Sequence, residues 1–566
     1  MHLLESASHR FTCVPVTHEV TAGIACEYFN ATNLLGERAF ALVTAGPGLT
    51  NLMTAIAGSW LDSRELLVIG GQAKTTNLAR GTVRQLGHQE IDGLGITRSI
   101  TKRSVRVETP LDAWQLESII SESWSGRPGP VFIEVCLDVS SADYVYSVPP
   151  IAPRHEFHAL SEEVDDCWAE LLDKVSKSTR PLVLLGGGVS QSAARDFADK
   201  VSDLKLPIAV TWTGADRIGR DYPFFAGRPN TYGMRWANIF LQQSDLLIAV
   251  GTSLGFQQTG FNVDEFLPVG DLVQVDIDDE ELNKSTPKER MRIKMDSRVF
   301  LDKLSQMILG KTQDLTDWVY FLEEVKTQLF QVESCQKSQG LCLSPHEVMH
   351  KVQGLIDDQD CIVSTSSGGT FTAAMQTLST IKNQALICNK GLASMGYGLA
   401  GAIGAAFARP GTRIVLFEGD GGFTQNATEL GSVAMNTLNL KIFVTCNDGY
   451  ASIRTSQANY FGGHYLGCDE TTGLLLPNWK LLSSAFEIPY FEVDRESIHD
   501  SKFLDAFLAP GPCLFAIRSD PKQTYLPRLT SSLDKNGQIR TRPLHDMEPA
   551  LPTEVAEKVF RFIPIP

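Results

Sequence analysis

The tightest constraint on the fold lies in residues 415–453, VLFEGDGGFTQNATELGSVAMNTLNLKIFVTCNDGYASI. An apolar run at 415–417 stops at Gly419-Asp420-Gly421-Gly422, and a segment of helical period follows. A second apolar run at 441–445 ends at Cys446-Asn447-Asp448-Gly449. Strand, glycine turn, helix and strand make a βαβ unit, with acidic and amide oxygens at the carboxyl ends of both strands. In an open parallel sheet, that end is where ligands sit. Asp420 and Asn447 offer hard oxygens for Mg²⁺, which takes octahedral oxygen coordination and bridges to phosphates. Gly419, Gly421 and Gly422 let backbone N–H groups approach a diphosphate at a helix N-terminus. The residues alone predict a metal and a diphosphate held between two neighbouring strands.

The same rhythm recurs along the chain and predicts an α/β protein of three doubly wound parallel-sheet domains. The first, residues 1–150, has strands within 40–48, 65–72 and 129–139, and Gly46-Pro47-Gly48 opens a helix over 49–60. Residues 140–158, rich in Pro, Ser and Tyr, read as a linker. The second domain, 161–310, has strands within 180–190, 206–212, 244–255 and 271–278. Its Gly186-Gly187-Gly188 opens a helix and suits a nucleotide phosphate, but it is not the GxGxxG dinucleotide fingerprint. Residues 302–342, charged and helical in pattern, read as a second linker. The third domain, 343–525, adds strands within 360–369 and 512–520 to the two already described. Residues 526–566 form a tail; with seven prolines after residue 520, it is expected to pack over the surface or to be partly mobile.

At roughly 150 residues per domain, 566 residues suit three to four domains. A net charge of −16 argues against a nucleic-acid surface and against adhesion to anionic membranes. No apolar run approaches the roughly 18 residues of a membrane span, and residues 1–11 lack a signal-peptide core. The 11 cysteines are scattered, without CxxC pairs or histidines at zinc spacing, and read as reduced cytoplasmic thiols.

The central stretch also carries a resemblance. Gly-Asp-Gly, 24 residues (422–445) and a pair ending in Asn resembles the signature of thiamine-diphosphate enzymes. In that family the Asp, the Asn and the carbonyl two residues beyond it bind the metal, which implies Asp420, Asn447 and Gly449 here. The family's usual Asn-Asn is Cys446-Asn447. The family's catalytic glutamate stands in a His-Glu dipeptide ahead of a GPG turn, and Glu19 precedes Pro47 by 28 residues. Its relay to the cofactor's aminopyrimidine needs a carboxylate in an apolar setting with a raised pKa. By the same likeness Pro47 and Asn51 lie near the pyrimidine, Gln89 near the thiazolium, and Met395 wedges under the cofactor. His88 stands where the family has Phe; it could hydrogen-bond an acceptor, shuttle a proton, or be an exposed loop histidine. Gly368, Gly369, Gly391, Ser394, Gly419, Gly421, Gly422 and Tyr450 complete the implied cofactor-binding set.

The likeness runs from about residue 16 to 521 and is to acetolactate synthase-like enzymes. The longer loop before Gln89 and the segment after Asn447 look most like the acetyl-transferring flavoenzymes of polysaccharide clusters, the yersiniose type. Gly187, Gly188 and Gly251 sit where that group's middle domain holds FAD, and FAD stays open because some relatives lose it. The resemblance implies thiamine diphosphate, Mg²⁺, and a homodimer or homotetramer with the cofactor between the first domain of one subunit and the third of another. It implies pyruvate as donor of a two-carbon unit to a carbonyl acceptor, either a second 2-keto acid or a nucleotide-linked keto-sugar. A non-catalytic family member is a third reading. Family members carry a further strand and helix before the segment that opens this chain, so the first domain is expected to lack them.

Overall fold

Apolar strand runs separated by helical segments dictate parallel sheets, because each helical crossover carries the chain back to the end of the sheet where the strands begin. The computed structural model describes residues 11–34, 36–142, 163–285, 290–333, 338–533 and 539–566. Its first sheet holds β1 (Phe40–Val43), β2 (Leu66–Gln72), β3 (Arg103–Val107) and β4 (Pro130–Cys136) in the order β1-β2-β4-β3. The second holds β5 (Pro181–Leu185), β6 (Ile208–Val210), β7 (Leu246–Val250), β8 (Asp271–Asp276) and β9 (Arg290–Lys294), ordered β6-β5-β7-β8-β9. The third holds β10 (Cys361–Ser364), β11 (Ala385–Ile387), β12 (Ile414–Gly419), β13 (Leu440–Cys446), β14 (Tyr490–Val493) and β15 (Cys513–Arg518), ordered β11-β10-β12-β13-β15-β14. All pairings in these three sheets are parallel.

Alternate residues of each central strand enter opposite cores, as a period of two requires. Val363, Leu416, Ile442 and Leu514 face one layer of the third domain, and Ile362, Phe417, Phe443 and Phe515 face the other. Leu185 and Ile248 divide from Leu184 and Leu247 in the same way in the second. Both faces are covered, which is the doubly wound arrangement. In the third sheet β11 and β12 lie on opposite sides of β10; in the second, β6 and β7 flank β5. Each is a switch point where a crevice opens at the strands' carboxyl ends.

The first and third domains share one core. The Glu19–Thr32 helix packs on the Tyr397–Ala408 helix, with Ile24 and Tyr28 among Leu399, Ala402 and Ile403. A Cβ at Gly401 would stand 2.5 Å from the Tyr28 ring. Fully buried Glu27 is held in this interface: Arg64 Nη1 donates to it at 2.8 Å, the Tyr397 hydroxyl at 3.2 Å and the Asn389 amide at 3.3 Å.

Two expectations change. Residues 302–342 are not a free linker, because the Thr316–Glu333 helix buries Trp318, Phe321, Leu322 and Val325 against the second domain. The tail joins the same core through Val559, Phe560 and Ile563, and the Arg561 and Phe562 N–H groups donate to Gln243 Oε1 at 2.8 and 2.9 Å. The first linker from residue 143 to 158 and the chain start, residues 1–10, lie outside the described residues. Among the described residues no helix is long and apolar enough to cross a membrane.

Replacing Arg64 with Met strands the Glu27 carboxylate in the shared core. Loss of a buried partner costs about 3–5 kcal/mol, so denaturant titration should show a destabilisation of that size. A change under about 1 kcal/mol would mean that Glu27 does not rely on Arg64.

Candidate active site

Strands β12 and β13 pair side by side, Gly419 opposite Thr445, which brings Asp420 and Asn447 together at their carboxyl ends. Asp420 is buried, 2% exposed. Its Oδ1 accepts from the Gly421 N–H at 2.7 Å, and Oδ2 accepts from the N–H groups of Asn447 and Gly449 at 2.9 and 3.1 Å. Burial pushes the carboxyl up to about 6 in spite of these donors.

The Asn447 amide oxygen faces Gly449 O at 3.1 Å and Asp420 Oδ1 at 3.3 Å, with acceptors alone around it. Three acceptor oxygens converging without a donor are unfavourable unless a cation lies among them. Oxygens on Mg²⁺ at 2.0–2.1 Å stand about 3 Å from their octahedral neighbours. The donor set therefore fits Mg²⁺. Turning the amide over, so that its N–H₂ donates to both oxygens, is the alternative when no cation is bound. Gly449 is at φ +112°, and a Cβ there would overlap Cys468 O, so only glycine can present this carbonyl.

In the crevice between β10 and β12, Gly368 and Gly369 open the Gly368–Thr377 helix. Gly421 passes under the Tyr450 ring, and Met395 Cβ lies 3.9 Å from where a Gly422 Cβ would stand. The Ser394 hydroxyl donates to Met395 O at 3.0 Å. Gly391 stands apart: its N–H donates to Asp62 Oδ1 at 2.7 Å, and it borders the second domain's pocket. Glu418 lies fully buried behind the Gly419–Gly422 turn, takes the Thr365 hydroxyl, and is pushed by burial up to about 7.

The first domain gathers the other residues on an open face. Glu19 opens its helix and accepts from the Asn51 amide at 2.9 Å. Pro47 and Asn51 begin and end the Pro47–Asn51 helix, and Gln89, at φ +55°, sets its carbonyl against Gly46. Pro47, Asn51, His88 and Gln89 are exposed, and Glu19 is half-buried. The raised pKa expected of Glu19 is not found in the single chain. The Asn51 hydrogen bond holds its carboxyl below the usual range, and too little apolar cover lies over it to reverse that. Of the third-domain groups, Glu429 reaches this face directly: it accepts from the N–H groups of Thr17 and His18, both at 3.0 Å. Sequence reasoning missed Glu429 and Asp62, because no motif spacing marks a residue whose partners lie in another domain; it also passed over Tyr525, whose ring packs on Gly369 from beyond β15.

A separate cavity of about 740 Å³ opens at the β5/β7 switch point, lined by Gly187, Gly188, Arg217, Gly251, Asp276 and Lys390 among others.

Three family profiles match in order. They are described as thiamine pyrophosphate enzyme N-terminal TPP binding domain (residues 1–96), central domain (168–304) and C-terminal TPP binding domain (367–517). The acetolactate synthase large subunit of Porphyra purpurea is 30% identical over 507 residues, covering 88% of this chain and 83% of that protein. The chain belongs to the thiamine-diphosphate enzyme family. Within it, this thiamine-diphosphate enzyme is similar to Escherichia coli (strain K12) acetolactate synthase isozyme 2 large subunit, 29% identical over 522 residues (90% and 89% coverage). Isozyme 1 of the same organism is 27% identical over 533 residues (92% and 89%). It is an acetolactate synthase-like enzyme that forms C–C bonds with thiamine diphosphate, and its three parallel-sheet domains are the fold that the resemblance implied.

Glu418 makes stability depend on pH. It holds its proton in the folded enzyme up to about 7, whereas in the unfolded chain a glutamate ionises near ~4.3. The folded state then binds more protons between these values, so stability falls as pH rises from ~4.3 to about 7. Melting temperatures across that window should fall less steeply for Glu418→Gln than for wild type. Parallel profiles would remove Glu418 from this account.

Proposed function

We propose that this enzyme decarboxylates pyruvate and transfers the two-carbon unit to a second 2-keto acid, using Mg²⁺ with thiamine diphosphate. The observation that carries the reading is the convergence of the Asp420, Asn447 and Gly449 oxygens beside the Gly368–Thr377 helix N-terminus. It stands in a chain similar to acetolactate synthase large subunits over most of its length. When bound, thiamine diphosphate supplies a stabilised carbanion and an electron sink. The three oxygens hold the cation; the Gly368 and Gly369 N–H groups and the helix dipole take the diphosphate. Gly419, Gly421 and Gly422 keep the turn free of side chains, and Met395, beside Gly422, would pack against the bound cofactor. Glu19 holds a proton at the ring nitrogen of the aminopyrimidine, and Asn51, Pro47 and Gln89 orient that half.

The open Glu19 face supports a homodimer or homotetramer in which a second copy covers it. Excluding water there would raise the Glu19 pKa towards what proton transfer needs. The relatives are themselves named large subunits, which fits a multi-chain assembly. FAD is proposed for the 740 Å³ cavity, whose glycine turns at a switch point suit a nucleotide diphosphate. Purified enzyme should then release a yellow chromophore on denaturation; a colourless supernatant would count against FAD. The described cysteines are free thiols, in keeping with a cytoplasmic enzyme.

The longer loop before Gln89 and the segment after Asn447 support one second reading, a bulkier nucleotide-linked keto-sugar as acceptor. Mass spectrometry of products separates the two. The main reading expects acetolactate from pyruvate alone, with Glu19→Gln slowing carbon dioxide release about 10²–10⁴-fold. Product formed only with the keto-sugar present would establish the second reading. No decarboxylation under either condition would sink both.

A further inference from the structure

Tyr525 lies just beyond β15, outside every motif discussed so far, yet its ring covers the start of the diphosphate helix. A Cβ on Gly369 would fall within that ring, so the glycine and the tyrosine fit only each other. The His346 ring braces it from another side, at 6.2 Å between centroids. The residue as a whole is half-buried, but its hydroxyl is shut off from solvent and has no hydrogen-bond partner of full geometry. It stands beside the Asn447 amide and within the field of the Asp420 carboxylate; burial above all keeps the phenol protonated. A covered hydroxyl without a partner is unfavourable and calls for a missing one. The Asn447 amide lies beside it, and the ring itself sits on Gly369 at the helix N-terminus.

The Asn447 amide has two orientations. In one, its nitrogen donates to Asp420 Oδ1 and Gly449 O and closes the triad; in the other, its oxygen joins them. We propose that Tyr525 is a positioning residue for the cation–diphosphate site. Its hydroxyl accepts from the Asn447 N–H₂, which aims the amide oxygen at the cation. Its O–H donates a hydrogen bond to an anionic oxygen held at the Gly368–Thr377 helix N-terminus. The inference rests on the metal-and-diphosphate reading of the site above.

Tyr525→Phe keeps the ring on Gly369 and removes the hydroxyl alone. Mn²⁺ titrated into the full-length enzyme with thiamine diphosphate present, followed by electron paramagnetic resonance, should show a Kd raised about tenfold or more, the size of loss seen for groups that orient metal ligands. The melting temperature of the metal-free variant should match wild type. Equal Kd values in the two proteins would overturn the role of Tyr525 and leave the metal site standing. A weakened Kd with an equally lowered metal-free melting temperature would also overturn it, since the hydroxyl would then be structural. If wild type takes up no Mn²⁺ with thiamine diphosphate, the site reading and this inference fall together.

Discussion

The Glu19–Thr32 helix lies so close to the Tyr397–Ala408 helix that a methyl group on Gly404 would overlap the Ala25 carbonyl. Backbone-to-backbone approach of this kind needs small residues on one partner, and the run GLAGAIGAAF supplies them. Much else hangs from this contact. Glu19 stands at the start of one helix, with Thr17 and His18 just before it tied to Glu429 of the third domain. Met395 comes just before the start of the other. Buried Glu27, balanced by Arg64, locks the pair at its middle. One apolar seam thus fixes where both sets of residues proposed to face the cofactor begin.

Those two sets are finished to different degrees. The half proposed to hold the cation is built within one chain: Asp420 is buried, held by three backbone N–H groups, and lies beside the Asn447 amide, which in turn meets Gly449 O. Its carboxyl is pushed upward by burial, so a cation arriving there relieves an unfavourable environment. The proton half is open: Glu19 is half-buried and its carboxyl held low by Asn51. Covering that face by another copy is the simplest way to give it the drier surroundings that the chemistry requires.

The sequence made the centre of each of the three sheets legible, and with it the edge strands β1 and β6, but left the other four edge strands unread. β3, β9, β11 and β14 were not anticipated, and each lies at a sheet edge. β9, RMRIK, and β3, RSVRV, carry the charges that edge strands use against mispairing, which hides their alternation. The Asp420–Asn447 arrangement was readable because strand ends, glycines and a fixed spacing are local constraints. The Thr316–Glu333 helix was misread as linker because its apolar face meets residues far away in sequence, including the tail. The pKa of Glu19 could not be inferred, since it depends on what covers the residue rather than on its neighbours in the chain.

The central claim is that the Asp420, Asn447 and Gly449 oxygens hold the divalent cation that in turn holds the diphosphate. Isothermal titration of thiamine diphosphate into wild type and Asp420→Ala, with Mg²⁺ and with chelator, tests it most directly. Wild type should give heat of binding with Mg²⁺ only, and Asp420→Ala none in either buffer. Binding that persists in chelator, or that survives the loss of Asp420, would contradict it.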